Sequence, residues 1–278
     1  GRLNSPAAAP CFDAVRGEAV NLQHAPWGPG PQTTWIGTAT GWTRVTPLTQ
    51  PPPRLNDHDL VCDRARQVCV MFSGRPVSAP FVADTWEWNG SNWKAANPPV
   101  SPSAREQHGL AYDRVRQRIV LFGGINFPGG TVQHLNDTWE YDGATWHPIA
   151  TGPSPSPRRA RGTMAFDART GTVVLAGGVF DSTSLTDTWR WNGALWTPVA
   201  TANPVPGNAN LIEDDDLGRI TALAPQGQQF GTWDFTGSDW TPVSTLPGAA
   251  PRPFYDTVRG RIGSVGSGDL ELTRPKAS

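Results

Sequence analysis

Short apolar runs alternate with polar turns along this chain, and they recur in a fixed order. Each unit opens with an apolar segment that closes on an aspartate: Asp13, Asp63, Asp113, Asp167, Asp214 and Asp256. Three and four residues later stand pairs such as Arg16-Gly17, Arg116-Gln117 and Thr170-Gly171. The combination predicts a short hairpin turn, in which Asp accepts backbone hydrogen bonds and a Gly or polar residue closes the loop. A second strand follows as a nearly continuous apolar run, at residues 68–72, 119–122 and 173–176 in the clearest units. Runs of that kind predict burial on both faces. The third strand places aromatic residues two apart, Trp86/Trp88, Trp139/Tyr141 and Trp189/Trp191, so that each pair shares one face. Asn89-Gly90, Asp142-Gly143 and Asn192-Gly193 then predict hairpins that tolerate positive φ. A fourth strand runs into a proline-rich exit such as residues 151–157, which suits an outer edge. Six units result, at about 2–50, 51–100, 101–153, 154–203, 204–247 and 248–278.

Tryptophan marks the period. Trp35/Trp42, Trp86/Trp93, Trp139/Trp146, Trp189/Trp196 and Trp233/Trp240 are pairs seven residues apart and hold ten of the thirteen tryptophans. Their first members are separated by 51, 53, 50 and 44 residues, an interval that belongs to repeat architectures. The run Arg105-Glu-Gln-His108-Gly-Leu-Ala-Tyr-Asp113, followed by Arg118-Ile-Val-Leu-Phe-Gly-Gly124, Asp137-Thr-Trp-Glu-Tyr-Asp-Gly143 and Trp146, resembles the kelch repeat of the galactose-oxidase-like propellers. The likeness is close over about 54–203. Unit one has Asn21-Leu-Gln23 where the repeat has Phe-Gly-Gly, unit five has Leu223-Ala-Pro225, and unit six ends before a partner tryptophan. The resemblance implies an all-β, kelch-type β-propeller in one domain, residues 1–278, with six blades of mostly four antiparallel strands and an incomplete last blade.

Composition agrees: 30 Gly and 28 Pro suit many short strands and turns with almost no helix. A net charge of -1 gives no global field for nucleic acid or an anionic membrane. No apolar run reaches the ~18 residues of a spanning helix. A start at Gly1 is what a processed or clipped product would have, and together with scarce lysine it points to an extracellular or periplasmic protein. Of the three cysteines, Cys62 and Cys69 flank one hairpin turn and are placed either to bridge across it or to pack, with Cys11, as small buried side chains. No Cys/His spacing suggests zinc.

Variation concentrates in the loops between second and third strands and in the blade connections, which share one face. That rim carries Arg54, Arg105, Arg158, Arg159 and Arg161, together with Trp27, Phe81, Phe127, His134 and Phe180. Arginine suits carboxylate, sulfate or phosphate, and the aromatic rings suit a sugar or a peptide side chain. An arginine before the first strand is also part of kelch-like repeats, where it braces blades. Arg158, Arg159 and Arg161 exceed that need. The copper set of the oxidase branch would require tyrosines outside regular strand positions, whereas Tyr112, Tyr141 and Tyr255 occupy them. No metal or cofactor is expected. The sequence therefore supports a non-enzymatic binding or scaffold module for a protein, a glycan or another anionic ligand. Its rivals are a hydrolase or lyase at the channel mouth using His24 or His134, and a structural subunit of an extracellular assembly.

Overall fold

The computed structural model describes residues 10–23, 32–38, 40–53, 58–75, 81–214, 218–227, 229–247, 253–256, 261–264 and 272–273. Five four-stranded antiparallel blades follow one another. Blade 1 holds β1 (Cys11–Asp13), β2 (Glu18–Gln23), β3 (Thr33–Thr38) and β4 (Gly41–Val45). Blade 2 holds β5 (Asp59–Asp63), β6 (Val68–Phe72), β7 (Thr85–Trp88) and β8 (Trp93–Ala95). In blade 3, β9 (Gly109–Asp113) and β10 (Arg118–Phe122) precede a rim ribbon of β11 (Ile125–Asn126) and β12 (Gln133–His134), and β13 (Thr138–Tyr141) and β14 (Trp146–Ile149) complete the sheet. Blade 4 repeats this plan with β15 (Met164–Asp167), β16 (Thr172–Ala176), the ribbon β17 (Val179–Phe180) and β18 (Thr183–Ser184), then β19 (Thr188–Trp191) and β20 (Trp196–Val199). Blade 5 comprises β21 (Asn210–Asp214), β22 (Arg219–Gln226), β23 (Gln229–Phe235) and β24 (Trp240–Pro247). A three-stranded sheet of β25 (Pro253–Asp256), β26 (Arg261–Ser264) and β27 (Leu272–Thr273) comes last. The six units read from the sequence thus become five complete blades and this shorter sheet. Among the described residues no helix is long and apolar enough to cross a membrane.

The predicted hairpin chemistry is present atom by atom. Asp113 Oδ1 accepts the backbone N–H groups of Val115 and Arg116 at 3.1 and 3.0 Å, and Asp13 and Asp63 do the same in their own turns. The Asn-Gly and Asp-Gly glycines have a second duty. Gly90, Gly143 and Gly193 have φ of 96°, 95° and 93°, and the arginine of the preceding blade (Arg16, Arg66 or Arg116) lies on each of them. A Cβ at Gly143 would stand 2.7 Å from Arg66, so both the turn and the interface require glycine.

The core lies between blades rather than within one. Val70 and Phe72 of blade 2 pack with Leu110, Ile119, Tyr141 and Trp146 of blade 3, and equivalent clusters join each pair of neighbours. The repeated Asp-Thr-Trp triplet explains how. The first tryptophan donates its indole N–H to the Asp two residues earlier, Trp139 to Asp137 at 2.8 Å and Trp189 to Asp187 at 2.6 Å. The Thr hydroxyl accepts the second indole of the next blade: Trp93 donates to Thr34, Trp146 to Thr85, Trp196 to Thr138 and Trp240 to Thr188, all between 2.8 and 3.0 Å. Buried indole N–H groups need partners, and the repeat supplies a threonine for the second tryptophan of blades 2 to 5.

The cysteine alternatives resolve as well. Cys62 and Cys69 face each other in register across β5 and β6 and are bridged, while Cys11 is a buried free thiol.

Candidate functional site

The blade connections before β9, β15 and β21 converge on one concavity of about 200 Å3, whose polar lining is Gln107, Arg159, Arg161, Thr163 and Asn208. Equivalent positions of three successive blades build it, because each connection crosses the same face on its way to an innermost strand. Arg159 is held by its backbone, which exchanges hydrogen bonds with Val179 at 2.9 and 3.2 Å. Gly124 and Gly178, at φ of 97° and 103°, let the rim ribbons pass close to these connections; a Cβ on Gly178 would lie 2.8 Å from the Arg159 carbonyl.

Beneath the concavity the inner strands carry polar groups. Asp59 is buried and accepts the N–H groups of Leu60 and Leu110, each at 3.1 Å. Burial raises its carboxyl from 3.8 to about 6, and the Leu60 N–H, the Arg161 charge and the Leu110 and Gly162 N–H groups limit that rise. His108 is fully buried, its ring edge-on to Phe72 at 5.4 Å, and neither nitrogen has a hydrogen-bond partner among the described residues. Burial, followed by the charges of Arg105, His58 and Arg161, holds it well below the ordinary 6.5 and therefore neutral. Asp59 was not among the expected site residues. Its signal was a departure from the repeat, since Gly109 stands at the same step after His108 as Asp59 does after His58.

This cluster makes a testable pH signature. The stability of the wild type relative to Asp59→Asn is expected to improve as pH falls from about 6 towards 3.8, because the folded carboxyl takes up its proton in that window and the unfolded one does not. His108 acts oppositely: its contribution is present above 6.5 and lost as pH falls, equally in both proteins, so it cancels from the difference. Urea unfolding of both proteins across this range checks the slope.

The other expected rim residues divide. Arg105 and Arg158 are completely buried and perform one job in successive blades. Arg105 forks onto Asp137 at 2.6 and 2.8 Å and also donates to the carbonyls of Ser103 and Gly123. Arg158 repeats this with Asp187 at 2.6 and 2.8 Å and with Ser156 and Gly177. Arg158 is therefore the repeat's own brace, and the expectation that it is surplus to the repeat is corrected. Arg159 and Arg161 remain at the concavity.

Phe81 and Phe127 stack at 4.9 Å with 14° between ring planes, joining the loops of blades 2 and 3, and Arg75 sits over Phe81. His134 and Phe180 meet between blades 3 and 4 at 4.7 Å, tilted by 46°. Phe180 keeps 41% of its surface exposed and follows Val179 of the concavity wall. The Asp181 N–H donates to His134 Nε2 at 3.2 Å, and Nδ1 lies 3.7 Å from the Asp181 carboxylate. That separation exceeds direct hydrogen-bond reach, and the backbone N–H of Asp181 is what holds the ring. Trp27, Arg54 and His24 lie outside the described residues.

No curated protein matches the chain. Residues 33–210, more than half of the sequence, match the model of the KLHDC2/KLHL20/DRC7 Kelch-repeats domain. That span takes in the third strand of blade 1 and every element of blades 2 to 4 that supplies the Asp-Thr-Trp clamps and buried arginines. The motif, the blade geometry and the match coincide, and the chain belongs to the Kelch-repeat domain family.

Proposed function

We propose that this propeller is a non-enzymatic, protein-binding scaffold whose concavity receives an anionic group of its partner. The observation that carries the reading is the convergence of Arg159 and Arg161 with Gln107 and Asn208 on one recess of a rigid rim. Guanidinium groups there offer forked donors to a carboxylate, sulfate or phosphate, and the amides add neutral donors. The neighbouring Phe180 supplies an apolar shoulder for the residue beside that group. A scaffold stitched at the four interfaces between blades 1 and 5 presents such a site at little ordering cost.

The test is binding to an array of acidic peptides, with the tightest binder followed by fluorescence anisotropy. Arg161→Ala and Arg159→Ala are expected to weaken it by about tenfold or more each, as for loss of a charged hydrogen bond, and to steepen neither salt dependence. Unchanged affinity in both would remove the concavity from the reading.

Two finer features belong to the same proposal. The ring has six blades, β25–β27 being a three-stranded last one; supporting this, β25 lies beside the innermost strands β21 and β1. The protein works outside the cytosol, a setting favoured by the Cys62–Cys69 bridge because disulfides persist in oxidising compartments.

A further inference from the structure

Three strands of blades 1 and 2 bring their sulfur atoms to one point. Cys11 of β1, Cys62 of β5 and Cys69 of β6 have Sγ atoms within 4.8 Å of one another. Val20, Leu22, Leu60 and Met71 belong to the same buried cluster, and the buried carboxylates of Asp13 and Asp59 act on Cys11 from outside it. Among the described residues no imidazole or carboxylate joins the group. Two of the sulfurs are paired as a disulfide and the third is a thiol, so the set holds one bridge and one spare ligand.

Coordination number and charge decide what such a pocket accepts once the bridge is opened. Structural zinc takes four ligands, and only three converge here. Copper(I) accepts three thiolates, but the product carries two negative charges, which an apolar interior opposes. Burial, then Asp13 and Asp59, already hold the Cys11 thiol well above its usual value, so the pocket disfavours thiolate. A trivalent centre with three thiolates is neutral and needs no fourth ligand.

We propose that Cys11, Cys62 and Cys69, after reduction of the bridge, form a three-thiol site for a trivalent thiophilic metalloid that arrives as its neutral oxyacid, such as arsenous acid. Each of the three S–H groups displaces one hydroxyl; three As–S bonds form, three As–O and three S–H bonds break, and three waters leave. The metalloid keeps its oxidation state and no charge is created. The two electrons that open the disulfide come from a thiol or phosphine reductant beforehand. The bridge is then the closed form of the site.

The experiment reduces the full chain with a water-soluble phosphine, which departs as its oxide, and adds arsenite without oxygen before native mass spectrometry. Reduced protein is expected to gain one arsenic and lose three hydrogens per chain, and unreduced protein to gain none. Cys11→Ala, confirmed as folded by its tryptophan fluorescence, is expected to form only a two-thiol adduct retaining one hydroxyl. A small competing dithiol should strip that adduct at least about tenfold faster than it strips the wild type, since the third thiol acts at high effective concentration. Identical adducts and release rates in wild type and Cys11→Ala would overturn the proposal, as would preference for zinc or copper(I) over arsenite.

Discussion

Replacing Trp196 with Ala is expected to lower the unfolding free energy by about 3–5 kcal/mol, as for other large-to-small changes of buried aromatic residues. Trp196 has only 2% of its surface exposed. Its ring meets Phe122 of the preceding blade edge-on at 5.3 Å and Trp191 of its own blade at 5.4 Å, so truncation opens a void in an inter-blade core. Its indole also donates to Thr138 at 2.8 Å. Thr138→Val isolates that second contribution: the ring stays, but its N–H is buried without an acceptor, at a cost of about 1–3 kcal/mol. Urea unfolding of the two variants and their combination checks both values. If Thr138→Val is neutral, packing alone holds the interface.

The second large effect belongs to Arg158. Arg158→Ala is expected to cost about 3 kcal/mol, towards the lower end for a broken buried pair because Asp187 keeps 39% exposure. Removing the guanidinium also leaves the carbonyls of Gly177 and Ser156 without a donor. Arg158→Lys should recover only part, since an ammonium cannot fork onto both Asp187 oxygens. Arg105→Ala should match Arg158→Ala closely, because the two sites share the same partners in successive blades. A much smaller loss at Arg158 would return it to the rim as a ligand group.

These two sites also show how far the sequence could be read. Period, strand order and hairpin chemistry were visible because they depend on residues within a few positions of one another. The partners of the Asp-Thr-Trp triplet were not, since Thr138 and Trp196 are 58 positions apart and meet only when neighbouring blades pack. The tryptophans could be assigned to packing, yet their hydrogen bonds could not be assigned to Thr. Arg158 is masked in the sequence because Arg159 and Arg161 crowd it; only its fork onto Asp187 marks it as the brace. The pairing of Cys62 with Cys69 followed from a hairpin register, but register alone does not say whether two facing thiols are oxidised. Asp59 is not legible in the sequence because its character comes from burial beside Arg161, 102 positions away along the chain.

The indole-to-threonine stitches all point one way: each blade donates to the one made before it. During synthesis from the N-terminus, every newly completed blade therefore seals its predecessor and exposes an unfilled threonine of its own. The growing chain carries one open socket at its leading edge until blade 5, where the equivalent Thr232 is bonded to Ser244 of its own β24. Because plug and socket lie in adjacent repeats, a whole repeat can be gained or lost by gene duplication or deletion without redesigning any joint. Blade number is then decided by the curvature at which the ring meets itself, and not by the chemistry of the joints.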